Sequence, residues 1–189
     1  MARVIDKQSA IFNTALVLLV ENGFHNTPMS LIAKQAGVSA GIIYHYFESK
    51  EDLIHQLYKM IELKFSKALH NDQSNRLEGM ALLRQVWLDS YAFYVAHPNE
   101  TLFMEQYKNS PFHRNDKEEV EGEWAPLLQK LNKAISEGEI VAFPFDILFD
   151  LTIGLAMTLA KRQIAKQIEI DEATLQKVAD AVCRSVQGV

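Results

Sequence analysis

The chain has one cysteine, Cys183, in 189 residues. A lone thiol cannot form an intrachain disulfide framework, and it leaves no Cys-based zinc cluster. Proline (5) and glycine (8) are too few for a linker or a fibrous repeat. No apolar run is long enough to cross a bilayer: Ala15–Val20 is far short of the roughly 20 residues required. The first residues also lack the charged-then-apolar order of a signal segment. These features point to a cytoplasmic protein without a membrane partner. There is no H-E-x-x-H, no G-x-S-x-G, no phosphate-cradling glycine loop and no patterned pair of carboxylates, so neither catalysis nor a metal or other cofactor is expected.

What is present is a hydrophobic fraction of 48%, enough for a real core, and a formal net charge of −5. The charge is unevenly spread. Residues 1–50 hold four basic side chains against three acidic ones, a balance of +1, so the remaining 139 residues carry −6. A nearly neutral head therefore joins an acidic body. A few well-placed cations on such a head are still able to meet phosphates.

Helix punctuation is dense and strand patterning scarce. Asp6 and Gly23 bracket a first helix to Asn22, with Phe12, Ala15, Leu16 and Leu19 on one face. Thr27 and Pro28 open a second helix that Gly37 closes near Ala36. Ser39 caps a third, Ala40 to about Phe47. Ser49 and Asp52 have capping-box spacing and start a fourth, which runs to about His70. Asn75 and Glu78 are placed to cap a fifth, carrying Met80, Leu83, Trp87, Tyr91 and Tyr94 and ended by His97-Pro98. Asn99 starts a short sixth. Asn109–Glu123 reads as a polar loop, followed by an amphipathic helix Trp124–Glu137 and two long segments, Phe145–Ile168 and Asp171–Val186. The pattern predicts an all-α protein of about nine helices, with a head at 1–50 and a body at 51–189.

Two short helices joined by Gly37-Val38-Ser39 make a helix-turn-helix. Ile32, Ala33, Ala36, Ile43 and Phe47 are expected to pack inward. Thr27-Pro28-Met29, Ile32-Ala33, Ala36-Gly37-Val38-Ser39, Gly41, Tyr44-His45-Tyr46-Phe47, Ser49-Lys50 and Leu53 resemble the DNA-binding domain of the tetracycline-repressor (TetR) family over roughly residues 5–57. The resemblance implies a three-helix DNA-binding head followed by a helical effector-binding and dimerisation body. It places base readout at Ala40, Gly41, Ile42 and Tyr44, and phosphate contacts at Thr27, His45, Tyr46 and Lys50, with Ser39 as cap at the groove. Ala40-Gly41 gives a slim leading turn that can approach base edges. Many relatives carry a lysine or arginine where this chain has Ala40. Ile42 offers only apolar contact to a thymine methyl, so DNA shape is expected to share in the readout.

One such helix per chain binds weakly, so a homodimer on a pseudo-palindromic operator is implied. The expected interface is the last two helices, with stripes Leu148, Leu151, Leu155, Leu159 and Leu175, Val178, Ala179, Val182, Val186. Gly154, Ala156 and Ala160 would admit a close facing helix. For the effector, the candidate pocket is Tyr58, Trp87, Tyr91, Phe103, Tyr107, Asp146 and Phe149. Asp146 among aromatics would favour a planar cation. The implied function is a repressor released from its operator by a small hydrophobic or cationic molecule. The alternatives are a regulator without a small-molecule effector, or a non-enzymatic helical interaction protein whose helix-turn-helix serves only packing.

Overall fold

A computed structural model describes residues 7–113 and 117–188, with the side chains of 117–121 and 123 left aside. Among the described residues the chain is all-helical: α1 Lys7–Asn22, α2 Met29–Gln35, α3 Ala40–Tyr46, α4 Lys50–Leu69, α5 Gly79–Ala96, α6 Pro98–Lys108, α7 Lys117–Ser136, α8 Phe145–Phe149, α9 Leu155–Ile164 and α10 Glu172–Val186. A 3-10 turn at Ser74–Arg76 precedes α5, and a π turn at Asp150–Gly154 joins α8 and α9 into one rod. The described helices thus make nine rods, as the pattern predicts. The expected Asp6 cap lies outside the described residues.

Three expectations are corrected. Pro28 is the N-cap of α2, in extended backbone, and does not enter the first helical position. The expected loop through Glu123 is too long, because α7 already begins at Lys117. Glu78 stands at the N-cap of α5 without a side-chain cap bond.

Compactness divides the chain into one unit within Met1–Glu62 and Asn99–Arg114 and another within Leu63–Pro98 and Asn115–Val189. In the first, Ile11, Ala15, Leu19, Ile32, Ile43, Phe47, Leu53 and Leu57 are fully buried, so α1–α4 share one apolar centre. Phe12 meets Phe47 edge-on at 5.2 Å, closing α1 on the end of α3. The sixth helix belongs to this unit: Phe103 and Phe112 both pack on Phe24, at 5.7 and 5.6 Å.

In the second unit, Leu83, Ala134, Ile140, Leu148 and Val186 form a core of residues from α5, α7, α8 and α10 and the α7–α8 connection. The end of α10 is tied back by a bridge between Ile140 and Gln187. Arg84 on α5 reaches Asp180 on α10 at 2.8 Å. The expected stripe on the eighth rod does not share a face. Leu148 is buried, whereas Leu151 is 38% exposed, and the inward line runs Leu148, Thr152, Ala156, Ala160. The π turn is the reason, since a wider turn rotates the residues before it relative to those after it. Ala156 and Ala160 are fully buried within this chain, so their small size already serves internal packing. On α10, Ala179, Val182 and Val186 likewise face inward.

Candidate DNA-reading surface

The turn between α2 and α3 is fixed by its backbone. Gly37 has φ +68, a conformation that L side chains resist. Val38 N–H donates to Ala33 O at 3.0 Å and Gly37 N–H to Lys34 O at 3.3 Å, the paired bonds of a Schellman end. The Ser39 side chain then accepts from Ile42 N–H at 3.3 Å, starting α3.

This start sorts the side chains of α3. Ile43 and Phe47 are fully buried and anchor the helix, while Tyr44 is 58% exposed. Ser39, Ala40, Gly41 and His45 are also exposed, and Ile42 and Tyr46 are half-buried. The helix thus turns one side to the core and leaves Tyr44, with its neighbours Ala40, Gly41 and His45, facing solvent. Gly41 adds to this. A Cβ there would lie 3.9 Å from Ser39 Oγ and crowd nothing, so the fold itself does not demand glycine.

Two of the residues expected at phosphates have partners within the chain. Thr27 is fully buried, and its hydroxyl lies at 2.9 Å from Gly23 O and 3.1 Å from Leu18 O. That hydroxyl ties the turn before α2 to the end of α1. Lys50 is half-buried, and its ammonium donates to Phe24 O. Ser49 and Asp52 form the expected cap: Asp52 N–H donates to Ser49 Oγ at 3.1 Å, and Asp52 Oδ2 accepts from Glu48 N–H at 3.0 Å.

The residues expected at the effector divide between the two units. In the first, Tyr58 and Tyr107 stack at 4.2 Å, Phe103 lies 6.3 Å from Tyr107, and His55 Nδ1 is 3.2 Å from the Tyr107 hydroxyl. Burial, with Glu62 adding to it, pushes the Tyr58 phenol well above its usual pKa. In the second, Trp87 stacks on Tyr91 at 5.9 Å, and the Tyr91 hydroxyl donates to Gln163 Oε1 at 2.7 Å. Phe149 lies 6.3 Å from Phe145. Asp146 is exposed in the first turn of α8, so the expected acid inside a dry aromatic cavity is corrected. A carboxylate in that position keeps its water and the favourable helix N-terminus.

Sequence reasoning missed a second aromatic group. Phe65 packs on Phe93, Tyr94 and Trp124 at 5.0, 5.1 and 5.5 Å, drawing on α4, α5 and α7. The indole N–H of Trp87 is wholly buried and has no hydrogen-bond partner. Burial of Phe65 could have been read from its place four residues after Ile61. The placement of Trp124 beside it is a tertiary fact with no local signal.

A capped, bare-tipped helix that presents Tyr44 and His45 while Ile43 and Phe47 hold it from behind defines a helix-turn-helix of the DNA-reading class. Known proteins agree. Residues 11–57 match the bacterial regulatory proteins of the tetR family, and residues 81–187 match the tetracyclin repressor-like C-terminal domain. An HTH-type transcriptional regulator of Haemophilus influenzae is 25% identical over 183 residues, covering 96% of both chains. The fatty acid metabolism regulator of Bacillus subtilis is 41% identical over 66 residues, 35% of this chain and 34% of its own. A TetR family regulator from Marinobacter aquaeolei superposes with a TM-score of 0.89 at 21% identity, over 97% of this chain and 96% of its own. The chain belongs to the TetR family, and it is a helix-turn-helix, DNA-binding transcription regulator.

Proposed function

We propose that the chain is a cytoplasmic, non-enzymatic, ligand-responsive repressor that binds a pseudo-palindromic operator as a homodimer. Residues 1–50 would read the DNA, and residues 51–189 would hold the effector and the dimer surface. The observation that carries the DNA half is the exposed Tyr44 beside the bare, Ser39-capped start of α3. In this reading Ala40, Gly41, Ile42 and Tyr44 approach base edges, while Ser39, His45, Tyr46, Lys50 and the helix start at Thr27 meet the backbone.

Dimerisation is supported by apolar surface on the eighth rod. Phe145, Ile147 and Leu151 are 64%, 47% and 38% exposed. Next to them a groove of about 470 Å³ is lined by Asp150, Leu151, Leu155, Val178, Ala181 and Ser185, among others. A second copy would cover this surface and set the two recognition helices one DNA turn apart, roughly 34–36 Å.

For the effector we favour a small hydrophobic molecule over a cation, because Asp146 faces water. Aromatic side chains fill the second unit, and the unpaired Trp87 N–H there would welcome one acceptor atom. A ligand that prefers the dimer geometry unable to bind DNA would release the operator.

The test has two stages. Binding to duplexes selected from a random library should weaken with salt in proportion to the phosphates neutralised, by about 0.9 in log-log slope for each. A library of uncharged amphipathic compounds should then contain one that raises the melting temperature and lowers operator affinity together. A stabilising compound that leaves operator affinity unchanged would break the proposed link between ligand and DNA.

A further inference from the structure

Burial in the second unit leaves two ring nitrogens of opposite character without hydrogen-bond partners. One is the indole N–H of Trp87, a fully buried residue of α5. The other is Nε2 of His70, just past the end of α4. The second nitrogen of the His70 ring defines its role. Nδ1 lies 2.8 Å from Ser66 O, and a carbonyl oxygen can only accept, so Nδ1 carries the proton. In the neutral ring Nε2 then holds a lone pair and accepts, whereas an indole N–H only donates. Trp87 thus calls for an acceptor and His70 for a donor.

Both nitrogens belong to one neighbourhood. Phe65 on α4 meets Tyr94 on α5 at 5.1 Å, and further along the chain Asn71 Nδ2 donates to Asp89 Oδ2 at 2.8 Å. The chain therefore runs antiparallel to α5 here. His70 comes level with Ser90, about one helical turn from Trp87 along the axis. Trp87 and Tyr94 stand two turns apart on α5 and share one side of it. Aromatic rings flank both nitrogens: Trp124 lies 6.4 Å from His70, and Tyr91 stacks on Trp87 at 5.9 Å. Nearby basic side chains are committed elsewhere. Arg84 is held by Asp180 and Gln176, and Lys130 by Asn75 O, Leu77 O and Glu78.

We infer that the effector is an uncharged hydrophobic molecule carrying a hydroxyl group, whose oxygen accepts from the Trp87 N–H and whose O–H donates to His70 Nε2. This rests on the effector reading proposed above and narrows it to a chemical class. A hydroxyl is the smallest group that both accepts and donates, so one oxygen answers both nitrogens. With bonds of about 3 Å to each, it bridges nitrogens up to about 6 Å apart, the order of one helical turn. An ether oxygen answers Trp87 alone. A carboxylate offers only acceptors, meets the His70 lone pair with its own, and finds Arg84 and Lys130 already engaged.

The experiment titrates the full chain by calorimetry at neutral pH with para-butylphenol, its methyl ether, butylbenzene and para-butylbenzoate. Wild type is expected to bind the phenol about tenfold more tightly than the ether, and the ether about tenfold more tightly than butylbenzene. The benzoate should bind more weakly than the phenol. His70→Phe should erase the preference for phenol over ether, and Trp87→Phe that for ether over butylbenzene. His70→Gln, which keeps an acceptor oxygen, should retain most of the phenol preference. Equal binding of phenol and ether by wild type would overturn the inference. So would tighter binding of the benzoate, or no binding of any probe. These comparisons need no variant, so a variant that fails to fold does not shelter the inference. Operator affinity is read separately by fluorescence anisotropy on a duplex selected from a random library. Butylbenzene that binds as tightly as the phenol and releases the operator would overturn the hydroxyl site and keep a hydrophobic effector. A phenol that binds with the expected preferences yet leaves operator affinity unchanged would uphold the site and break the proposed link between ligand and DNA.

Discussion

Tyr44 and Phe47 stand three residues apart near the end of the same short helix, yet the first is 58% exposed and the second is fully buried. The two therefore separate function from folding within one helix. Tyr44→Ala should remove specific operator binding while changing stability by no more than about 0.5 kcal/mol. Phe47→Ala should cost about 3–5 kcal/mol, because it opens a cavity beside Phe12. Thermal melts and anisotropy on the same samples check both. A Tyr44→Ala protein that keeps its sequence preference would contradict the reading role.

Gly41 offers a sharper contrast between stability and function. Its Cβ space is open, so Gly41→Ala should stabilise α3, by as much as about 0.5–1 kcal/mol. In the same protein, operator affinity should fall, because the added methyl stands between the helix start and the base edges. A variant that melts higher and binds as well as wild type would show that no close approach occurs at this position.

Much of this head was legible in the sequence because its signals are local. Gly37, Ser39 and the Ser49–Asp52 pair each act over three or four residues, and the structure uses each as its residue type suggests. The intrachain contacts of Thr27 with Leu18 and of Lys50 with Phe24 were not legible. They span 9 and 26 residues, and only the packed fold brings them together, whereas the Thr27 contact with Gly23 is local. The same holds in the body. The Phe65–Trp124 contact spans distant helices, and the π turn displaced a leucine stripe that simple helical counting predicts.

Leu151 tests the dimer surface. Leu151→Glu puts a charge on the exposed rim of the groove without touching Leu148 or Thr152 behind it. Sedimentation should report a monomer, with the helical signal intact and operator binding lost. A variant that remains a dimer would move the interface elsewhere.

Cys183 gives a pH-dependent readout. Burial pushes its thiol up from the usual value, nearby Arg84 opposes the shift, and Asp180 adds to it. The folded protein therefore favours the protonated form at neutral pH, and alkylation should be slow there. The rate should rise only at a pH above the ordinary thiol range of about 8.5. Iodoacetamide kinetics against pH measure this, and a midpoint below that range would mean an activated thiol.

The π turn at Asp150–Gly154 makes the eighth rod work like a vernier. The turn's five residues sweep about the angle that four residues of an ordinary α-helix cover at about 100° each, so the turn absorbs one extra residue. Removing one residue there would let the turn tighten into an ordinary one, and Leu148, Ala156 and Ala160 would keep their common inward side. The same deletion in the regular helix after Gly154 would instead rotate one part of the rod by about 100° against the other.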